Sequence, residues 1–572
     1  MAEERRIPRG AGAAVLTLAA VLPYLPLLRV PPFYDDAVFL RSPLSALSPG
    51  AFLRVLLSRD YFALSGERSW QPLVTLCQHL CGGSAPALRA GGLLLHAAAT
   101  LLLAELARRA LRSREKAFLA ALLFALFPAA TELLAVSSFV AHAAAAAAGL
   151  AALLCWEASG RSRLSAFLWP PLFVLALLSK ESALSVPLAA AAWAACVERE
   201  DRPPLLRPAL AAGGLVVLYL AVRFLLLRPA PAAPALVAPG WSSLLSLGAY
   251  ARVLVWPAPL CLERSLPATF SAEGAFLLAL GLAALGGAAL LRGARRFAAL
   301  WTLLSLLPVL HFVPFANYSP TADRYLYLPS AGFALLLASL SWRPLLPLLL
   351  SLCWGALGLR RAALYGDPGA FLRQTAACAP ANPRAQALLG AHLLEREGDA
   401  AAALPFFARA FDLDPGLRTR FDDPGWSHVE GRPYVLGLLE LRLSRPSRAA
   451  ELFDAGLREE EDPSARAPLL VRRAEARSAL GDRVGALADC AQAERLAPSW
   501  HLPPLKSGLL IGRSDRTRAA AFLERARALD PGGIRLPELL EEAYRLLGPA
   551  KSVGTGPPPD FAGGFRKTST PG

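Results

Sequence analysis

The sequence predicts an all-α protein in which a polytopic membrane bundle of helices is followed by a shorter soluble array of helices. Of its 572 residues, 55% are hydrophobic and only 18% are charged, proportions typical of polytopic membrane proteins. Apolar runs of roughly 20 residues, the length that crosses a bilayer, recur up to residue 359. From about residue 370, apolar and charged residues instead recur at amphipathic helical spacing, which indicates a soluble domain.

Basic loops set the predicted orientation of the membrane helices. The formal charge of +15 would suggest nucleic acid in a soluble chain, but here arginines cluster in short loops, as in cytoplasmic loops of membrane proteins. With the N-terminus inside, the basic loops at 108–116, 160–163 and 198–207 all fall on the cytoplasmic side. We therefore expect no nucleic-acid partner, about eleven spans, and a re-entrant or interfacial segment at 243–260.

Neither the N-terminus nor the cysteines suggest processing or cross-linking. The apolar run 11–28 could pass for a signal peptide, but no small-residue cleavage site follows it, so we predict an uncleaved first helix. The eight cysteines are scattered singly, and we predict neither a zinc site nor a disulfide framework. The bias toward Ala, Leu, Arg and Pro favours a bacterial source, and hence an inner-membrane location with the C-terminal domain in the periplasm.

Ionisable residues gather at the predicted outer face. Asp35 and Asp36 follow the first apolar run directly, and the same face receives Glu132, the neighbours Lys180 and Glu181, and the segment 317–327. Ionisable groups at membrane depth are functional candidates by default. The predicted inner face collects arginines and little else.

The C-terminal part contains degenerate repeats. The segments 398–415, 479–498 and 514–531 share small and aromatic positions and end in proline, and the last two prolines lie 33 residues apart. That spacing is close to the period of about 34 residues in tetratricopeptide (TPR) repeats. With a weaker copy at 433–463, three to four repeats are predicted within 370–550, and the Gly/Pro-rich residues 551–572 are predicted to be a disordered tail.

Several segments of residues 1–360 resemble the TMTC type of membrane O-mannosyltransferases, which belong to the GT-C class and carry TPR arrays. The segment FYDDAVFL resembles the first-loop acidic motif of that family, LLSKESALSVP its Lys-Glu motif, and ADRYLYLPSAG its Arg-Tyr motif. The usual H-P-x-H-x-E motif reads FPAATELL, so that only its proline and Glu132 remain.

The resemblance implies transfer of a sugar, mannose in that family, from a polyprenyl-phosphate donor to an acceptor hydroxyl at the outer face. A carboxylate must take the hydroxyl proton, and cations must stabilise the departing phosphate. We predict Asp35 and Asp36 as the catalytic carboxylates and Arg324 and Lys180 as the cations that bind the phosphate. Glu132, Glu181 and Tyr325 are predicted to support them.

The same resemblance implies particular partners. The expected partners are the lipid-linked sugar, the surrounding membrane lipid, and an acceptor protein or glycan held in the groove of the repeats. No organic cofactor is expected, and a divalent metal ion is left open.

Two other functions compete with the transferase. A non-enzymatic membrane scaffold that assembles envelope proteins would explain the missing family histidines. A transporter would require inverted repeats with broken helices in matching halves, and the sequence shows none. The acidic pair, the Lys-Glu motif and the Asp-Arg-Tyr motif favour the transferase.

Overall fold

A computed structural model describes most of the chain. The described residues are 9–32, 34–40, 42, 44, 47–65, 69–197, 206–227, 240–267, 271–311, 321–340, 343–417, 419–423 and 426–529. The predicted tail at 551–572 lies outside them. The chain divides into two compact units, Met1–Leu389 and Gly390–Gly572, whereas the sequence suggested a boundary between 360 and 370.

The first unit is helical in its described residues. Its helices are α1 Arg9–Val21, α2 Asp36–Phe39, α3 Pro49–Leu56, α4 Asp60–Ser65, α5 Pro72–Leu80, α6 Ala85–Leu111, α7 Arg114–Ala125, α8 Ala130–Ala135, α9 Val140–Ala158, α10 Arg163–Ser179, α11 Val186–Cys196, α12 Leu206–Ala221, α13 Trp241–Val255, α14 Ala272–Leu290, α15 Gly293–Leu306, α16 Tyr327–Leu340, α17 Leu345–Leu364 and α18 Pro368–Cys378. Helix α19, Pro383–Glu395, includes the division between the units.

Six described helices are long and apolar enough to cross a membrane: Gly10–Arg29, Ala85–Leu111, Ser137–Ala158, Pro208–Leu225, Ala272–Leu290 and Leu345–Leu364. Two shorter apolar helices, Arg163–Ser179 and Glu181–Cys196, follow the third of these. The chain is therefore consistent with a membrane protein, and the count of about eleven spans stays a prediction. Helix α13, in the segment predicted to be re-entrant, has only 15 residues.

Helix α9 forms the centre of the bundle. Its span is 83% buried, more than any of the other five, and it packs against α6 and α10. The run AHAAAAAAGLAALL explains this position, because small side chains let neighbouring helices approach closely.

Helices α13 and α14 are in backbone contact. A Cβ atom added at Gly248 would lie 1.9 Å from the Leu277 carbonyl oxygen, so a larger residue there would push the helices apart. This packing holds the segment 256–267 that follows α13 and carries part of the candidate site.

The prediction that the cysteines form no disulfide was wrong. Cys261, in the loop after α13, is bonded to Cys378 at the end of α18, across 117 residues of sequence. Pairing of scattered single cysteines is decided by the fold, so their spacing carried no signal. Of the other six cysteines, all described, none is in a disulfide.

The second unit consists of helices that pack in sequence order. After the last residues of α19 come α20 Ala400–Leu413, α21 Arg432–Arg442, α22 Pro446–Glu459, α23 Pro463–Ala479, α24 Arg483–Leu496, α25 Leu502–Ile511 and α26 Arg516–Leu529. Within three of the helix pairs, α19/α20, α21/α22 and α25/α26, a glycine of the first helix faces a bulky side chain of the second: Gly390 faces Phe407, Gly437 faces Phe453, and Gly508 faces Leu523.

The turns between paired helices also repeat. Gly398 and Gly481 have positive φ angles, and each precedes an aspartate, Asp399 or Asp482, that caps the next helix. In the weaker copy Ser444 takes the positive φ angle instead. The left-handed conformation favours glycine, which is why the sequence of this copy is harder to recognise.

One two-stranded element departs from the predicted all-α class. Strands β1, Thr419–Asp423, and β2, Trp426–Glu430, pair in antiparallel fashion with Thr419 opposite Glu430. This hairpin lies between α20 and α21, where the repeat pattern of the sequence is interrupted.

Candidate functional site

Asp35 belongs to a charged network in the first unit. Its carboxylate accepts a hydrogen bond of 2.6 Å from Arg384 Nη2, and both side chains are about one quarter exposed. Arg384 Nη1 lies 3.7 Å from Glu263 Oε1, and the Arg384 guanidinium stacks 4.5 Å from the centre of the Tyr34 ring. The Tyr34 hydroxyl also donates to Glu263. Arg384 is thus held between two carboxylates and an aromatic face.

The charges of this network act on its own titratable groups. Burial would lower the pKa of Arg384, but its neighbours Tyr34, Asp35 and Glu263 together raise that pKa above its ordinary value. Burial raises the pKa of Tyr34 well above its ordinary value, an effect that the Arg384 charge opposes and that of Glu263 strengthens. Arg384 therefore stays charged and Tyr34 stays a neutral hydrogen-bond donor.

Arg324 joins the same network from the opposite side. Its Nη2 lies 3.8 Å from Glu263 Oε1, while its Nη1 donates to Glu132 at 3.2 Å and to the Leu262 carbonyl at 3.0 Å. The guanidinium lies over the rings of Phe139 and Tyr325, at 4.8 and 5.0 Å from their centres. Arg324 is only 4% exposed, so it is far less accessible than Arg384.

The backbone around Arg324 is fixed by a neighbouring ion pair. Asp323 accepts two hydrogen bonds from Arg264, at 2.8 and 3.1 Å, and one of 2.5 Å from the Cys261 amide. The disulfide Cys261–Cys378 ties that amide to α18. These contacts position Glu263, Arg324 and, six residues beyond Cys378, Arg384.

Asp36 lies in a separate contact. Its carboxylate is fully buried and receives hydrogen bonds of 2.8 Å from Arg89 and 2.6 Å from the Ser137 amide. Arg89 also donates to the carbonyls of Leu27 and Val30. Burial raises the pKa of Asp36 above its ordinary value, and Arg89 and Ser137 oppose that rise. Asp36 therefore attaches the first loop to the bundle.

Lys180 and Glu181 form a third group. Lys180 Nζ donates to Ser69 Oγ at 2.9 Å and lies 3.9 Å from Glu181. Glu181 is buried and pairs with Arg223 at 2.6 Å. Lys180 itself is about one fifth exposed, so its charge can be reached by a ligand.

His142 lies beside the network around Arg324, since the centre of its ring is 6.0 Å from that of the Tyr325 ring. Phe139 contacts both His142 and Tyr34. The structure thus brings Asp35, Glu132, Arg324 and Tyr325 into one network, with Lys180 and Glu181 beside it and Asp36 in an adjoining contact.

Sequence reasoning missed Glu263 and Arg384. A charged pair, Glu263 and Arg264, at the end of an apolar segment was an available signal for the first. Arg384 is one of many arginines in a polar segment, and only the fold brings it to Asp35. Among the described residues, no three His, Cys, Asp or Glu side chains gather in a way that could hold a metal ion.

No family model and no curated protein matches this chain. A solved structure that it resembles is MamA RS-1 ArsTM double mutant, with 18% sequence identity and a TM-score of 0.24. That likeness covers 31% of this chain and 92% of the other.

Proposed function

We propose that this chain is a membrane glycosyltransferase that transfers a sugar, mannose in the TMTC-type enzymes it resembles, from a polyprenyl-phosphate donor to an acceptor hydroxyl. The observation that supports this most directly is the network that joins Asp35 to Arg324 through Arg384 and Glu263. It combines a partly exposed carboxylate with nearby cations, the two groups that such a transfer needs.

Each residue has a role in this proposal. Asp35 takes the proton of the acceptor hydroxyl. The oxygen of that hydroxyl forms a bond to the anomeric carbon of the sugar, and the bond between the anomeric carbon and the phosphate oxygen breaks. Lys180 and Arg324 stabilise the phosphate, which leaves with the electron pair. Glu132, Glu181 and Tyr325 hold these cations in place, and Asp36 fixes the loop that carries Asp35.

We also propose that the transfer occurs at the outer face of a bacterial inner membrane. The disulfide Cys261–Cys378 lies next to the network, and disulfides persist in oxidising compartments such as the periplasm. The second unit, with its repeated turns and helix packing, would then be a periplasmic TPR array that holds the acceptor.

The test is a transfer assay with purified protein, a labelled polyprenyl-phosphate sugar and a membrane extract as the acceptor source. Asp35→Asn should lower the rate by roughly a hundred-fold or more, the usual cost of losing a positioned base. Arg324→Ala should chiefly raise the KM for the donor. Asp60→Asn removes an exposed carboxylate at the start of α4 and serves as the control. An Asp35→Asn variant that keeps more than about a tenth of the rate would refute the assignment.

A further inference from the structure

One oxygen of the Asp35 carboxylate accepts a hydrogen bond of 2.6 Å from Arg384 in the structure. A guanidinium that donates a hydrogen bond to a carboxylate oxygen stabilises the charged form of that carboxylate, so a proton can bind more readily once the guanidinium has moved away. When Asp35 takes up a proton its charge disappears, and the positive charge of Arg384 then needs another carboxylate. The site must therefore contain a second place for Arg384.

Glu263 offers that place. It is completely buried, and its Oε1 already lies 3.7 Å from Arg384 Nη1 and 3.8 Å from Arg324 Nη2. Its Oε2 has no hydrogen-bond partner among the described residues. A buried polar atom without a partner is costly, so Glu263 would gain from a closer, two-point contact with Arg384.

We propose that Arg384 is a movable counter-ion shared by Asp35 and Glu263. It pairs with Asp35 in the resting protein and shifts to Glu263 Oε2 when Asp35 accepts the proton of the acceptor hydroxyl. Arg384 and Glu263 are then positioning residues: neither touches the reacting atoms, and together they keep the charge of the site balanced through the step. The inference rests on the proposed role of Asp35 as the base.

The geometry requires only a small displacement. Arg384 already contacts both carboxylates, and the Tyr34 ring supports its guanidinium 4.5 Å away. Tyr34 also holds Glu263 by its hydroxyl, so the acceptor of the shifted arginine stays in place. Since Arg384 is 24% exposed and Glu263 is fully buried, the shift carries the guanidinium away from solvent.

The test measures the reaction of Arg384 with phenylglyoxal in the full-length protein, quantified by peptide mass spectrometry. Asp35→Asn mimics the protonated, uncharged state. If Arg384 moves to Glu263, it should react about threefold more slowly than in the wild type, the size of effect expected from a partly exposed ion pair. If Glu263 is only structural, loss of Asp35 should release Arg384 and make it react faster, and that result would overturn the proposal.

A second variant identifies the destination. In the Asp35→Asn/Glu263→Gln double variant the protection should disappear, and Arg384 should react faster than in the wild type. Persistent protection there would also overturn the proposal. Arg252, which lies 3.9 Å from Glu273 outside the network, is an internal control whose reactivity should not change. Should the double variant fail to fold, Asp35→Asn alone decides, because its two outcomes have opposite signs.

Labelling does not depend on transfer, so the two proposals can fail separately. If Arg384 is protected in Asp35→Asn while transfer activity is retained, the proposal of a shared counter-ion stands and the assignment of Asp35 as the base is rejected. Faster labelling together with lost activity would reject the counter-ion and keep the base.

Discussion

The two adjacent aspartates of the first loop differ in burial and in partners. Asp35 is about one quarter exposed and pairs with Arg384, whereas Asp36 is fully buried against Arg89 and Ser137. Adjacent residues in a turn point in different directions, so two identical side chains meet different surroundings. Asp35 is partly open to solvent, whereas Asp36 attaches the loop to the bundle.

This difference predicts that the same substitution has a large effect on stability at Asp36 and a small one at Asp35. Asp36→Asn leaves the buried Arg89 without its counter-charge, and losing one partner of a buried ion pair costs about 3–5 kcal/mol. We expect a marked fall in the melting temperature of the detergent-solubilised protein, with Asp35→Asn melting near the wild type. An Asp36→Asn variant that melts like the exposed control Asp60→Asn would contradict the proposed role of the buried pair.

At the scale of elements, the disulfide connects the loop after α13 with α18. It encloses 117 residues of sequence, and closing a long loop restricts the unfolded chain. The same bond supports the segments that carry Glu263 and Arg384, so its loss should affect both stability and the site.

We expect the Cys261→Ser/Cys378→Ser variant to lose about 2–4 kcal/mol of stability. Thermal melting measures this loss, and peptide mapping without reductant should recover the Cys261–Cys378 link in the wild type. The matched control is Cys155→Ser/Cys353→Ser, which removes two cysteines that are not in a disulfide. A wild-type protein in which mapping finds both thiols free would contradict the bond.

In the second unit an ion-pair group joins α23 and α25. Glu475 lies 3.1 Å from Arg472 and 2.6 Å from Lys506. Burial disfavours the charged form of Glu475 and would raise its pKa. The positive charges of Arg472 and Lys506 have the larger effect and lower the pKa of Glu475 to about 2 from the ordinary value of 4.5. The unfolded chain therefore binds this proton at higher pH than the folded chain does.

The stabilisation from Glu475 should be complete above pH 4.5 and should be lost as the pH falls toward 2. Glu475→Gln should reduce stability at neutral pH and flatten the decline of the melting temperature across that acidic interval. Glu459→Gln, on the exposed end of α22, should leave the pH profile unchanged. An acid profile of Glu475→Gln that is parallel to that of the wild type would argue against this linkage.

At the scale of the whole molecule, the prediction concerns orientation. We expect residues near 111 to lie inside, because their loop is basic, and Cys378 to lie in an oxidising compartment, because disulfides persist there. Reporter fusions after Leu111 and after Pro380 should therefore report the cytoplasm and the periplasm, respectively. If both reporters were on one side, the predicted topology and the outer location of the candidate site would be wrong.

The sequence by itself determined those features that depend on local pattern. Apolar run length indicates which helices could cross a membrane, because every helix that crosses lipid must be apolar along its length, and six described helices meet that requirement. The predicted repeats at 398–415 and 479–498 contain α20 and α24, and a glycine turn with an aspartate cap marks the start of both helices. In the described part of 514–531, helix α26 follows Asp515, whose carboxylate accepts a hydrogen bond from the Arg518 amide. These signals lie within a few residues of one another.

Only the tertiary structure decided which distant charges meet. Asp35 and Arg384 are 349 residues apart in sequence, and the disulfide joins cysteines 117 residues apart. Nothing local marks such partners, since one arginine or cysteine resembles another until the chain folds. The difference between Asp35 and Asp36 has the same origin: burial and counter-charge belong to the packed structure, and they separate two residues that the sequence presents as equivalent.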